Sequence, residues 1–352
     1  MQFSLFYFAD YAAESVREQR YSLLIEGARY ADARGFAAVW TPERHFHSFG
    51  GLYPNPSVTS AALAMVTERI GIRAGSVVVP LHHPLRIAEE WALVDNLSGG
   101  RAGVSLASGW KHEDFLLRPE SYPERRHVTL EAVDTLRRLW RGEAFMASLD
   151  GSQQTEWRVF PPAVQDEIPL WLTSGGNTAT FRAAGTAGVG VLTHLLGQSI
   201  DDLAANIRKY RHALAAARPG RHGHVTLMLH TYLDSDMETV ERQVRKPLER
   251  YLLSALDLFR PSGYAGGPER TTEQRARFAI QPAYRRYLHE DGLFGSVGHA
   301  IDVVERLRGI GVDEIACLID FGVSHNAVLD GLERLDELRT ATMSEAQPDG
   351  VT

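Results

Sequence analysis

The chain has 352 residues, of which 44% are hydrophobic and 23% are charged, so it contains enough apolar side chains for a sizeable folded core. Its 37 basic and 44 acidic side chains give a formal net charge of −7, which argues against a nucleic-acid-binding protein with a basic face. The single cysteine, Cys317, excludes an internal disulfide framework and a cysteine-based metal cluster, and it favours a cytoplasmic protein. Because Cys317 lies in an apolar run, we expect a buried structural thiol.

The N-terminal segment MQFSLFYFAD is apolar, but it has no basic region and its apolar run stops at Asp10. We therefore interpret it as a strand rather than a signal peptide. No uninterrupted apolar segment approaches the ~20 residues that a membrane-spanning helix requires. The sequence predicts a soluble protein without membrane association.

Strand-like and helix-like segments alternate along the whole chain. The predicted strands are residues 3–8, 36–40, 70–79, 102–107, 168–173, 188–193, 225–233 and 314–319. The predicted helices are residues 15–34, 57–69, 84–97, 123–141, 178–187, 199–217, 236–258, 297–310 and 324–340, while 108–122 is expected to be a polar loop and 142–167 irregular.

Eight strand–helix units in a chain of this length predict a single α/β domain, a (β/α)8 TIM barrel with its functional loops at the C-terminal strand ends. A doubly wound sheet is the alternative, but no Gly-x-Gly-x-x-Gly follows the first strand, which argues against a Rossmann unit. We assign residues 1–340 to the barrel, with a lid-like insertion at about 259–296, and residues 341–352 to a flexible tail.

Charged groups follow the second predicted strand directly. Residues 35–46, GFAAVWTPERHF, end in Glu43, Arg44 and His45, at the edge where α/β barrels carry their chemistry. On chemistry alone His45 is the candidate general base, with structural packing as the alternative. His45 and His47 with Glu43 do not predict a metal site, because no further ligands stand out on other loops.

The sequence Ser174-Gly175-Gly176-Asn177-Thr178 follows the fifth predicted strand and opens a helix. Two glycines allow close approach to backbone N–H groups, and a helix N-terminus favours an anion, so this segment is a candidate phosphate site. The alternative is a tight turn in which Asn177 caps the helix.

Beyond these separate features, residues 1–340 resemble the bacterial luciferase-like, flavin-dependent monooxygenases. The resemblance rests on residues 35–46, on Asn55-Pro56, on Gly75-Ser76, on residues 83–90 (HPLRIAEE) and on residues 95–101 (DNLSGGR). The segments LHHPLR (81–86), ASGW (107–110) and HLLGQ (194–198) are most similar to the branch associated with polyketide and nonribosomal peptide biosynthesis.

This resemblance implies a (β/α)8 barrel that receives reduced FMN from a separate reductase and reacts it with O₂ to a flavin C4a-(hydro)peroxide. It implies that the flavin phosphate binds at residues 174–178 and that a non-proline cis peptide, Gly75–Ser76, lies under the flavin ring. Ala107, Ser108 and Gly109 would flank the flavin, and His194 would occupy the position of a tryptophan near the ring. A homodimer built on the helices near strands two and three is also implied.

Two positions depart from the luciferase pattern. The catalytic histidine of luciferase falls on Arg44, which stays protonated and can stabilise a peroxide or substrate anion but cannot act as a base. Glu43, His45 and His194 are then the remaining catalytic candidates, with His45 or His194 handling protons. The arginine beside the flavin phosphate falls on Ser108, and Lys111, Arg125 or Arg126 could supply that charge instead.

The resemblance leaves the function open in three respects. A related deazaflavin enzyme that transfers hydride without oxygen uses the same barrel, and a non-catalytic flavin-binding barrel is a further alternative. The substrate would be a secondary-metabolite intermediate, either free or tethered to a carrier protein. Residues 284–289, YRRYLH, would suit a basic, aromatic lid over the site, with an ordinary surface helix as the alternative.

Overall fold

The computed structural model describes residues 1–8, 20–48, 50–259 and 273–344. The strands of these segments are β1 (Gln2–Phe6), β2 (Ala38–Thr41), β3 (Gly71–Val78), β4 (Ala102–Ala107), β5 (Phe145–Ala147), β6 (Thr155–Trp157), β7 (Leu170–Ser174), β8 (Gly190–His194), β9 (Val225–Leu233), β10 (Leu293–Gly295) and β11 (Glu314–Leu318). The α-helices are α1 (Ser22–Arg34), α2 (Pro56–Ala64), α3 (Pro84–Ser98), α4 (Arg125–Trp140), α5 (Thr178–Ala187), α6 (Ile200–Ala217), α7 (Met237–Phe259), α8 (Glu273–Arg286), α9 (Val297–Gly309) and α10 (His325–Ser344).

Eight parallel strands of the described residues close into a barrel in the order β1-β2-β3-β4-β7-β8-β9-β11, and β11 pairs back with β1. The strands are buried along most of their length because helices cover the outside and side chains fill the inside, as the near-continuous apolar runs predict. The prediction of a (β/α)8 TIM barrel is confirmed. Cys317 is fully buried within β11, also as predicted.

The helix ends follow local sequence signals. Gly35 ends α1 with a left-handed backbone (φ 78°), a conformation that glycine adopts without steric cost. Ser199 and Asp202 form a reciprocal capping box at the start of α6. Asn55 caps α2 by accepting hydrogen bonds from the Ser57 and Val58 N–H groups.

Three segments differ from the sequence-based expectation. Residues 142–167 are not wholly irregular, because β5 and β6 pair as a short antiparallel hairpin. The hairpin escaped prediction because each strand has three residues and β6 is fully exposed, so neither shows an apolar pattern. The loop at 108–122 contains two short 3-10 helices, residues 112–117 and 119–121.

The predicted insertion at about 259–296 contains α8, one turn of π-helix (Tyr287–Asp291) and β10, which extends the sheet beside β9. Residues 260–272 of the insertion lie outside the described residues, as do residues 345–352 of the predicted tail. The last helix, α10, continues through residues 341–344.

A buried carboxylate, Glu314, occupies the barrel interior at the N-terminal end of β11. It accepts hydrogen bonds from Ser4 (2.5 Å), the Trp40 indole N–H (3.0 Å), Arg73 (2.8 Å) and His224 (2.8 Å). Burial alone would raise the pKa of Glu314, but Arg73, His224 and Ser4 outweigh it and hold that pKa well below its ordinary value. These contacts link β1, β2, β3 and β11 with the residue before β9.

Two aromatic rings enclose the guanidinium of Arg73, the cationic partner of Glu314. The Arg73 guanidinium lies 5.0 Å from the Trp40 ring and 4.8 Å from the Trp171 ring. Two glycines make room for Trp171, because a Cβ atom at Gly190 would lie 2.3 Å from Trp171 Cδ1 and one at Gly103 would lie 3.1 Å from its ring. The N-terminal, lower end of the barrel is therefore filled by the packed side chains of Glu314, Arg73, Trp40 and Trp171, which we call the Glu314 plug.

We expect Glu314→Gln to lower the free energy of unfolding by about 3–5 kcal/mol at pH 7, because it removes the fully buried counter-ion of the Arg73 guanidinium, which is itself only partly exposed. Since the folded-state pKa of Glu314 lies below its unfolded value of about 4.3, its contribution is complete above that pH and is lost as the pH falls further. The difference between variant and wild type should therefore shrink below about pH 4. Denaturant unfolding of both proteins at several pH values measures this difference in the free energy of unfolding.

Glu337→Gln is the matched control, because Glu337 pairs with Arg334 on the surface, where both side chains are half exposed. Equal stability of Glu314→Gln and wild type at pH 7 would contradict the assignment of Glu314 as a stabilising counter-ion of Arg73.

Candidate active site

A cavity of about 350 Å³ opens at the C-terminal end of the barrel, opposite the Glu314 plug. Its wall is largely apolar, with Phe6, Leu192, Leu196 and Met228 among the contributing side chains. Most of the predicted site residues also line it, namely Glu43, Arg44, Gly75, Ser76, Ala107, Ser108, Gly109, Gly175 and His194. His45, Ser174, Gly176, Asn177 and Thr178 are not part of this wall, although His45, Ser174 and Gly176 are each adjacent in sequence to a residue that is.

Glu43 is a buried hub in which both carboxylate oxygens have partners. Its Oε1 bonds to the ring Nε2 atoms of His45 (2.9 Å) and His82 (2.6 Å), and its Oε2 accepts from the Val78 N–H (2.7 Å). Burial would raise the pKa of Glu43, but these three hydrogen bonds outweigh it and lower that pKa. Burial would likewise lower the pKa of His82, but Glu43 raises it above its ordinary value. Glu43 therefore acts as a carboxylate that orients two imidazoles.

Arg44 forms a buried ion pair across the cavity wall. Its Nη1 lies 2.5 Å from Asp114 Oδ2, and the two side chains are only 2% and 5% exposed. Burial lowers the pKa of Arg44 and raises the pKa of Asp114, while their mutual attraction opposes both shifts. The indole ring of Trp110 lies 5.4 Å from the guanidinium. Arg44 is thus a cation held inside the barrel mouth, and Asp114 was not identified from the sequence.

The Gly75–Ser76 peptide bond is cis, at a bulge between β3 and β4. A Cβ atom at Gly75 would lie 2.6 Å from the Phe6 ring, so glycine is required by packing. The Ser76 and Ser105 hydroxyls both hydrogen-bond to Thr173 Oγ1, which ties β3, β4 and β7 together beneath the cavity.

The end of β4 contributes a second stretch without bulky side chains. Ala107, Ser108 and Gly109 line the cavity, and Gly109 has a positive φ of 71°. A Cβ atom at Gly109 would lie 2.8 Å from Phe115 and 2.9 Å from Val78. The backbone can therefore approach a ligand closely along this wall.

His194 ends β8 and faces the cavity. Its Nδ1 accepts a hydrogen bond from the Leu196 N–H (3.1 Å), so the other ring nitrogen carries the proton in the neutral ring. Burial lowers the pKa of His194 to about 4, which keeps the imidazole neutral at pH 7. A Cβ atom at Gly175 would lie 3.3 Å from the His194 ring, so the glycine leaves the ring accessible.

In the segment Ser174–Thr178, several backbone donors already have internal partners. Ser174 Oγ accepts from the Gly176 (3.3 Å) and Asn177 (3.1 Å) N–H groups. Asn177 Oδ1 accepts from the Ala179 (2.8 Å) and Thr180 (3.3 Å) N–H groups at the start of α5. Asn177 is therefore an N-cap, and the segment is a self-contained turn at a helix N-terminus.

A lysine that sequence reasoning did not select lies beside this turn. Lys209, on α6, places its Nζ 3.4 Å from Thr178 Oγ1, and Thr178 donates to Asn206. The three cations considered from the sequence lie elsewhere. Lys111 faces Glu113 (3.6 Å), the Arg125 guanidinium lies 4.0 Å from the Tyr122 ring, and Arg126 is exposed at the start of α4. Only the packing of α6 against α5 reveals Lys209.

In the described part of the insertion, Tyr284 and Tyr287 are buried, whereas Arg285 and Arg286 are exposed. Tyr287 packs near the His230 ring (5.5 Å), and Arg286 pairs with Asp291 (2.6 Å). The tyrosines therefore anchor this segment to the barrel, and a lid role stays a prediction.

Within the described residues no cluster of three or more His, Cys, Asp or Glu side chains has the arrangement of a metal site. None of the helices in those segments is long and apolar enough to cross a lipid bilayer.

A TIM barrel with a cavity, a buried arginine and a neutral histidine at its C-terminal strand ends has the form of an enzyme. The chain belongs to the luciferase-like monooxygenase family, whose model matches residues 1–317. It is therefore a flavin-dependent monooxygenase.

Three comparisons illustrate this relationship. The oxygenase component of flavin-dependent trigonelline monooxygenase from Acinetobacter baylyi is 24% identical over 373 residues, covering 99% of this chain and 97% of the relative. The oxygenating constituent of 3,6-diketocamphane monooxygenase from Pseudomonas putida, solved with FMN, superimposes with a TM-score of 0.73 at 16% identity, covering 96% of each chain. An F420-dependent secondary alcohol dehydrogenase superimposes with a TM-score of 0.72 at 19% identity, covering 96% of this chain and 97% of that structure.

Proposed function

We propose that this chain is the oxygenase component of a two-component system that uses reduced FMN and O₂ to oxidise a secondary-metabolite intermediate. One observation carries the proposal. Gly75-Ser76, Ala107 to Gly109 and Gly175, which the sequence resemblance assigns to the flavin site, lie in or directly after three different strands and line one cavity. The names of two similar proteins support it, one as an oxygenase component and one as an FMN complex.

The cavity wall fits a planar cofactor. Along β3, β4 and β7 it presents glycines and small side chains, so a flat ring can lie against backbone. A Cβ atom at Gly175 would fill part of this space in front of His194. FMN, when bound, supplies the activation of O₂, and the reaction consumes reduced FMN and O₂ to give oxidised FMN, water and a product with one added oxygen atom.

The residues of the chain then have distinct tasks. The apolar wall excludes water, and the buried Arg44 presents positive charge to a developing anion, where low polarity strengthens its effect. Neutral His194 carries its proton on Nε2, because Nδ1 accepts from the Leu196 N–H, and it can therefore donate a hydrogen bond from Nε2 to a bound molecule. Glu43 orients His45, which lies at the cavity edge. These roles follow from burial and hydrogen bonding.

The decisive experiment supplies photoreduced FMN and ¹⁸O₂ to the protein with candidate biosynthetic intermediates, each offered free and as a carrier-protein thioester. We expect one ¹⁸O atom per product by mass spectrometry, and formation that depends on reduced FMN. Arg44→Ala should lower turnover by about 100-fold, the order expected for losing one stabilising charge. Glu337→Gln, on the surface, serves as the control.

The same experiment separates the alternatives. The structural similarity to an F420-dependent dehydrogenase favours a deazaflavin enzyme as the second candidate. Product formed with reduced F420 in the absence of O₂ would replace our proposal with that one. Binding of reduced FMN without any oxidation of a substrate would indicate a flavin-binding barrel without catalysis.

We assign the cation for the FMN phosphate to Lys209, because its ammonium group lies beside Thr178 at the N-terminus of α5. Lys209→Met should weaken binding of reduced FMN by about tenfold, since a charge-assisted contact is lost. Binding of reduced riboflavin, which lacks the phosphate, should not change. Anaerobic ultrafiltration measures both affinities.

Arg126→Met is the matched control, because Arg126 is exposed at the start of α4. An equal loss of affinity for FMN and riboflavin in Lys209→Met would indicate a structural effect, and a selective FMN loss in Arg126→Met would move the phosphate site to α4.

We also propose a homodimer that buries the outer faces of α2 and α3. Val58 and Met65 on or next to α2, with Leu93 and Leu97 on α3, are large exposed apolar side chains on adjacent helices. Leu93→Asp with Leu97→Asp should shift the mass in light scattering from dimer to monomer. Leu130→Asp on α4, equally exposed, should stay dimeric; a monomeric wild type would refute the proposal.

A further inference from the structure

Three large apolar side chains are exposed at the mouth of the cavity. Phe46 is 61% exposed, and Trp110 and Leu117 are each 50% exposed. Trp110 lines the cavity, and the other two follow the cavity-lining residues Arg44 and Asp114 by two and three positions. Large apolar side chains that are exposed together mark interaction sites, whereas scattered ones need no explanation. We call Phe46, Trp110 and Leu117 the apolar rim.

The loop that carries Leu117 is anchored from beneath. Residues 112–117 form a 3-10 helix, in which side chains three positions apart lie on the same face. His112 and Phe115 share one face, and their rings lie 4.5 and 4.8 Å from the Tyr122 ring. Phe115 is fully buried in a small apolar cluster with Val78. The exposed leucines of this helix therefore belong to a firmly packed segment.

The other two faces of the helix separate Leu117 from its neighbour Leu116. Asp114, which is paired with Arg44 in the cavity wall, shares its face with Leu117. Leu117 follows one turn later, about 6 Å along the helix axis. Leu116 lies on the remaining face, although it is the more exposed of the two leucines. Leu117 therefore borders the cavity and Leu116 does not.

Trp110 connects the rim with the interior of the cavity. Its indole ring lies 5.4 Å from the buried Arg44 guanidinium and contributes to the cavity wall. Half of the residue is nevertheless exposed to solvent. An apolar molecule that enters the cavity can therefore remain in contact with this ring on its way out of the mouth.

Phe46 presents its ring to solvent from a strained backbone. Its φ of 54° is the only positive value at a non-glycine position among the described residues. Bulky side chains rarely adopt this left-handed conformation, and such strain is typical of binding and catalytic loops. The His45 ring lies 5.8 Å away, but most of the Phe46 side chain is exposed. Packing of the Phe46 ring within the protein therefore does not account for the strain.

The size of the cavity brings a second ligand to the rim. Its volume of about 350 Å³ is near the lower end of the roughly 300–1,000 Å³ found for sites that bury one drug-sized molecule. FMN is itself a ligand of that size. A molecule that reacts with FMN in this cavity therefore has to extend past the mouth.

We propose that the apolar rim binds the apolar body of the substrate while the reacting end of the substrate enters the cavity. This inference rests on the proposed function, because it requires a flavin that fills most of the cavity. It defines the substrate class as molecules with an extended, uncharged apolar region, since none of the three rim side chains carries a charge. Leu117 is then a residue that determines specificity.

The test uses N-phenyl-1-naphthylamine, a flat, uncharged and apolar probe, with protein saturated with reduced FMN. Leu117→Asp should weaken binding of the probe at least tenfold, because a carboxylate replaces an apolar contact on the face that borders the cavity. Leu116→Asp is the matched control on the same helix and should keep the wild-type affinity. Anaerobic ultrafiltration measures the bound probe.

The outcomes distinguish the rim from the flavin site. Equal affinity of Leu117→Asp and wild type for the probe would overturn the inference and would leave a partner protein as the alternative occupant of the rim. An equal loss in Leu116→Asp, or no binding of the probe to wild type, would overturn it as well. Failure of wild type to bind reduced FMN, measured without the probe, would instead refute the proposed function.

Two substitutions at Phe46 separate the ring from the strain. Phe46→Gly and Phe46→Ala both remove the ring, so both should bind the probe about fivefold more weakly than wild type. Phe46→Gly should unfold at a higher denaturant concentration than Phe46→Ala, because glycine adopts a φ of 54° without steric cost. Wild-type affinity for the probe in both variants would overturn the assignment of Phe46 to the rim.

Discussion

The buried pair of Glu314 and Arg73 is the constraint on which the rest of the barrel depends. A carboxylate without exposure at the N-terminal end of β11 is tolerable only because hydroxyl, indole, guanidinium and imidazole groups surround it. These partners come from several strands, so the pair fixes their mutual register at the lower end. With that end filled by Trp40 and Trp171, the space inside the barrel lies at the upper end, where the functional loops begin.

The two ends of the barrel differ in how their buried charged side chains are paired. At the lower end, the Glu314 carboxylate is paired with Arg73 and bonded to His224 within the protein, which serves stability. At the upper end, Glu43 is equally saturated and acts as a fixed support for His45 and His82, and the neighbouring Arg44 forms a buried ion pair with Asp114. The adjacent residues Glu43 and Arg44 therefore have different partners, two imidazoles for Glu43 and the Asp114 carboxylate for Arg44. The sequence position alone, directly after a buried strand, does not separate these roles.

The fold was predictable because its signals are local. Apolar runs, the glycine after α1 and the cap of α6 each lie within a few residues of the element they define. The resemblance of residues 35–46 and of Gly75-Ser76 to a known family pointed to residues of different strands that line one cavity. The partners of those residues were not predictable, because Asp114 lies 70 positions from Arg44 in a polar loop, and Arg73 lies 241 positions from Glu314. Lys209 and His82 were missed for the same reason, since packing between separate elements places them.

The turn from Ser174 to Thr178 bears on how tightly the phosphate of the proposed FMN would be retained. Its N–H groups already bond to the Ser174 hydroxyl and the Asn177 side chain, so an incoming phosphate exchanges hydrogen bonds rather than adding them. Such a turn would suit the exchangeable FMN cosubstrate that we propose better than a permanently bound prosthetic group.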